Sequence, residues 1–143
     1  MSANGGLKSL DAFEEEYSNL DQDMGSLRQT SEWLRTLKQL TCELGSDIVV
    51  QGIAYGSYLE RLERGPRTPA SKPSLALLFE TSLPSMYDAA VKISEKIITP
   101  FFIKFGYFPY FQPWTREVLE EAKREKTEVF KNAFRHSSVR FFP

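Results

Sequence analysis

Apolar residues recur every three or four positions over most of the chain, the period of an amphipathic helix. Leu7, Leu10, Phe13, Tyr17 and Leu20 form one stripe of an acidic segment that would end near Gly25. Thr30 or Ser31 can cap a second helix, with Trp33, Leu34, Leu37, Leu40 and Leu44 on its apolar face and Gly45 as its break. Ser46 can cap a short third helix over "DIVVQGI", and "SYLERLER" reads as a fourth, stopped at Gly65. Beyond the proline-marked turn "PRTPASKP", the run "SLALLFETSL" reads as a compact apolar helix bounded by Pro84. Residues 85–99 place Met86, Ala89, Ala90, Ile93 and Ile97 on one side of a further helix. The aromatic run "FFIKFGYFPYFQPW" is expected to be irregular, because a glycine and two prolines interrupt it. From Trp114 a long helix is expected to reach about Phe134, and the terminal "VRFFP" reads as a docking tail or a frayed end. This pattern predicts an all-α protein with no sheet. It has an acidic N-terminal helix or arm at 1–29, a core of short helices at 30–83 and an aromatic-rich helical extension at 84–143.

Composition narrows the class. A chain of 143 residues with 41% hydrophobic and 26% charged residues suits an ordinary globular domain, not a disordered one. The net charge of −1 gives no general attraction for nucleic acid, but the acids are unevenly placed. Residues 1–27 hold six of them against one lysine, which leaves the remainder mildly basic. The single cysteine, Cys42, excludes an internal disulfide and a cysteine-based zinc cluster. No signal peptide is visible, and the most apolar stretch, 97–111, is too short and too broken to span a bilayer. A soluble, cytoplasmic protein without membrane contact is expected.

The pair "DIVVQGIA" and "YGSYLERLERG" has the proportions of two short helices joined by a tight turn. With "GPRTP" and "SKPSLALLFE" following, the run resembles the second half of the helix-turn-helix domain of phage repressors, bacterial regulators and antitoxins. Ser57, Leu59, Leu62, Glu63, Gly65, Arg67 and Pro69 fall on that family's pattern, and the resemblance covers about residues 34–83. It departs at the second helix: Gly45 stands where the family often has a glutamine, and Ile53, Ala54 and Tyr55 replace its turn. The resemblance implies a regulator that binds double-stranded DNA and works as a dimer. A recognition helix enters the major groove by its N-terminal end, which assigns base contacts to Tyr55, Gly56, Ser57 and Tyr58. Arg61 would pair with guanine, while Arg64 and Arg67 would hold phosphates. Leu59 and Leu62 would face inward.

The stretch "VVQGIAYGSYLERL…SLALLFE" is also similar, more loosely, to the G-S turn and following strand of nucleotidyltransferases. Their chemistry needs paired carboxylates on that strand to hold metal ions, and "SLALLFE" offers only Glu80. No nucleophile triad, phosphate loop or metal motif can be assembled elsewhere. The lone His136 fits a helix end better than a catalytic role. Neither enzymatic activity nor a cofactor is expected.

Phe101, Phe102, Phe105, Phe108, Tyr110, Phe111 and Trp114 supply more aromatic surface than a small helical core requires. They are assigned to packing across the chain's own helices or to an interface with a second copy or a protein partner. Two functions therefore stand beside each other: a dimeric DNA-binding regulator, and a protein-interaction module that keeps the fold without binding DNA.

Overall fold

The chain folds around a five-stranded mixed sheet. The structure is a computed structural model that describes residues 7–18, 24–56, 58–59, 75–135 and 137–143. The all-α expectation is therefore corrected to α/β. The strands are β1 (Lys8–Ser9), β2 (Val49–Tyr55), β3 (Ala76–Thr81), β4 (Tyr110–Thr115) and β5 (Val139–Phe142), in the order β1-β5-β2-β3-β4. β2 runs antiparallel to both β3 and β5, while β3–β4 and β1–β5 are parallel pairs.

The helices bounded within the described residues are α1 (Leu10–Ser18), α2 (Met24–Leu44), α3 (Met86–Ile93), α4 (Thr99–Phe105), α5 (Arg116–Glu125) and α6 (Glu128–Ala133). A π-helical turn, Ser94–Ile98, joins α3 to α4. Residues of α1 to α4 cover one face of the sheet, where Trp33, Leu34, Leu37, Ile93 and Phe101 meet Ala54, Leu77, Phe79 and Phe141. α5 and α6 cover the other face, packing Ala122 and Ala133 on Ile53, Tyr55, Leu78 and Trp114.

Both faces of β2 and β3 are thus buried, and this explains why the sequence misleads. A strand covered on both sides carries a nearly continuous apolar run instead of an alternating one. Over six or seven residues such a run has no period that separates it from a short buried helix. "VVQGIAY" and "ALLFET" are runs of this kind. The C-terminal "VRFF", expected as a tail, is an inner strand between β1 and β2. β4 carries Pro113, whose missing N–H is tolerated at a sheet edge.

Helix boundaries shift as well. α2 begins at Met24, so Gly25 lies inside it and Thr30 is a buried mid-helix residue, not a cap. The aromatic run is not irregular throughout: α4 ends at Gly106, which takes the left-handed conformation (φ 85°) that glycine adopts without steric penalty. The expected long helix breaks in two at Lys126, and Thr115 and Thr127 cap the pieces through their hydroxyls. The helix over 85–99 begins as expected, at Ser85, whose hydroxyl accepts from the Asp88 amide at 3.1 Å. No helix among the described residues is long and apolar enough to cross a membrane.

Candidate functional site

The residues expected to read DNA fall in three places. Tyr55 closes β2 and is only 6% exposed, and burial, with Tyr110 as a second cause, pushes its phenol up to about 12. Gly56 follows with φ 121°. Tyr58 and Leu59 are helical and buried, the Tyr58 ring lying 5.1 Å from Trp33. Ser57, Arg61, Arg64 and Arg67 lie outside the described residues, as do Leu62, Gly65 and His136. The first helix of the expected pair, over "DIVVQGIA", is a turn followed by β2, and the Leu-rich helix after the basic turn is β3. Tyr55 and Tyr58 are packed into the core, each 6% exposed.

The aromatic residues divide by burial. Phe101 is fully buried, its ring 4.7 Å from that of Phe105 and 5.9 Å from Tyr107. Phe105 and Phe111 are partly buried against the same core. Trp114 is buried on the opposite face. Phe102, Phe108 and Tyr110 remain exposed, and Phe102 and Phe108 stack face to face with centroids 4.2 Å apart and planes 8° from parallel.

Among the residues whose burial is described, the exposed large hydrophobic ones are Tyr87, Val91, Phe102, Ile103, Phe108 and Tyr110. All belong to the run from α3 through α4 to the start of β4. Tyr87 and Val91 are four apart on α3, hence on one side of it. Phe102, Ile103, Phe108 and Tyr110 surround the turn into β4, the strand at the sheet's outer edge. Lysines and acids alternate beside them, with Asp88, Lys92, Glu95, Lys96 and Lys104 on the same helical run. Lys104 also ties α4 to α2, its Nζ donating to Thr36 Oγ1 at 3.1 Å.

A second feature lies beneath α5 and α6. Gln51 and Glu80 face each other in register on β2 and β3, on the side otherwise occupied by Ile53, Tyr55, Ala76 and Leu78. Above them opens a cleft of about 330 Å³, walled by α5 and by Phe130 and Phe134. In the sequence Glu80 is only a carboxylate lacking a partner in its own run. Gln51 and Arg116 were invisible as site residues, because nothing in their spacing announces that two strands and a helix start bring them together.

No group of three or more histidine, cysteine, aspartate or glutamate residues among the described residues is placed to hold a metal ion. Comparison of the chain with protein-family models, with curated proteins and with solved structures returned no match.

Proposed function

We infer that the chain is a protein-interaction module of α/β architecture that engages a second copy of itself through the α3–α4–β4 side. The confinement to that run of every large hydrophobic residue that is exposed among those whose burial is described carries this reading. Scattered apolar residues are normal on a monomer, whereas concentrated ones mark interaction surfaces. The stacked Phe102–Phe108 pair is a rigid aromatic plate of the kind that anchors interfaces. The mixed signs of the flanking charges suit a self-complementary contact, in which acids of one copy meet lysines of the other. A stable interface buries about 800 Å² per partner. That exceeds what these six side chains supply, so the outer edge of β4 and the charged rim would join the contact.

Sedimentation velocity over a wide range of protein concentration tests the reading. The wild type should pass from monomer to dimer, and the Ile103→Ser/Phe108→Ser variant should stay monomeric with an unchanged circular dichroism spectrum. A wild type that remains monomeric throughout overturns it. Salt-sensitive affinity for mixed-sequence duplex DNA, lost in Arg61→Ala/Arg64→Ala, would favour the regulator instead.

A further inference from the structure

The cleft under α5 and α6 combines features that a merely structural groove does not need. Glu80 is 14% exposed at the side chain, and its one close charged partner among the described residues is Arg116, at a long 3.9 Å. A mostly buried carboxylate is stabilised by short, charge-assisted hydrogen bonds, and the long Arg116 contact leaves room for a ligand cation to make one. Arg116, by contrast, is 73% exposed and free to swing. Leu119, Phe130 and Phe134 line the cleft as an apolar wall, and the two phenyl rings stand 4.6 Å apart. With Glu120 and Lys123 also lining it, the cleft holds two acids and two bases and has no net charge to favour an ion of either sign. Its volume lies at the lower end of small-molecule pockets.

We propose that this cleft binds a free α-amino acid with an aromatic or branched apolar side chain. The ligand's ammonium donates to Glu80 and its carboxylate accepts from Arg116. Both ligand charges sit on one carbon, so they can insert side by side into the long Glu80–Arg116 pair, exchanging one loose contact for two close ones. Gln51, beside Glu80, has an amide that can hydrogen-bond the same polar end. The ligand's side chain then lies against Leu119, Phe130 and Phe134. This site is independent of the proposed interface, because it lies under the helices on the opposite face of the sheet from α3 and α4.

Isothermal titration of the full chain with L-phenylalanine and L-leucine tests the proposal, alongside 3-phenylpropionate, which lacks the ammonium, and phenethylamine, which lacks the carboxylate. The two amino acids should bind saturably, and each truncated analogue should bind at least about tenfold more weakly, as loss of a charge-assisted hydrogen bond requires. Glu80→Gln keeps the side-chain shape and should weaken L-phenylalanine by a similar factor. Phe134→Ala should weaken L-phenylalanine while leaving its discrimination over 3-phenylpropionate intact. Absence of saturable binding to the wild type, or equal affinity for the amino acid and both analogues, overturns the proposal without recourse to any variant. Undiminished binding to a folded Glu80→Gln protein overturns it as well.

Discussion

At Gly52 the ring of Phe141, on the neighbouring strand β5, lies so close to the backbone that no side chain fits. A Cβ there would stand 2.7 Å from Cε1 and Cζ of Phe141, a ring fully buried and in contact with Phe79. Gly52→Ala should therefore cost about 1–3 kcal/mol, the usual penalty for overpacking a core that cannot relax. Urea unfolding would measure it. A second residue-scale contact links α1 to α2. Arg35 pairs with Glu14 and, at 3.2 Å, with Asp11, while the Ser31 hydroxyl also donates to Glu14. Burial pushes the Glu14 carboxyl up, but the hydrogen bonds from Arg35 and Ser31 together outweigh it and hold the group below its ordinary 4.5. Because the folded state binds this proton less tightly than the unfolded state, the stabilisation is complete above 4.5 and is lost as the pH falls through the lower folded value. Arg35 is half exposed, so solvent screening keeps the effect small. Arg35→Ala should lower stability by about 0.2–1 kcal/mol at neutral pH. That difference should shrink in acid, and paired denaturation curves at the two pH values would reveal it.

At the scale of elements, Lys126 is the residue under strain. It ends α5 with φ 54° and is the one non-glycine residue with positive φ among the described residues. Side chains in that region clash with the following carbonyl, which is why glycine is favoured at such a stop. Lys126→Gly should raise stability by up to about 1 kcal/mol, the relief being partly offset by glycine's greater freedom when unfolded. An increased thermal midpoint would show it. The same junction explains a limit of the sequence pattern. Val118, Leu119, Ala122, Val129 and Phe130 keep a helical period across the break, and the caps at Thr115 and Thr127 look ordinary until the reversal at Lys126 is seen. α3, by contrast, was legible, because Ser85 follows Pro84 directly and the apolar residues keep their period. The strands were hidden by double-sided burial. Of the two resemblances, only the one to nucleotidyltransferases anticipates a strand over "SLALLFE", and the lack of paired carboxylates there bears on chemistry, not on fold. The aromatic cluster was legible as a set, yet its division into buried Phe101 and Trp114 and exposed Phe102 and Phe108 depends on the helix start at Thr99. A proline in the first turn of α4 is a good helix start, but among four nearby breakers it read as a loop.

For the molecule as a whole, the sheet draws on stretches that the sequence suggested were separate: β1 from the acidic arm, β2 and β3 from the middle, β4 and β5 from the aromatic extension. Deleting residues 139–143 removes the strand joining β1 to β2 and also takes Phe141 and Phe142 out of the core. Loss of a cooperative thermal transition is the expected outcome, whereas an unchanged transition would mean that the remaining three strands hold the domain alone. The position of β5 also has a temporal consequence. During synthesis β2, β3 and β4 emerge before it, so a nascent chain can assemble three strands of the sheet with the β2 edge unpaired until β5 is made. Pairing Lys8 with Val139 joins residues far apart in sequence, a contact that forms slowly because its loop entropy is surrendered before any reward. Until that moment the edge is open to any other strand in reach, including β5 of a neighbouring chain. Translation order would therefore place the hazard of strand exchange at β2, two strands in from β4 and the aromatic surface proposed above as the interface.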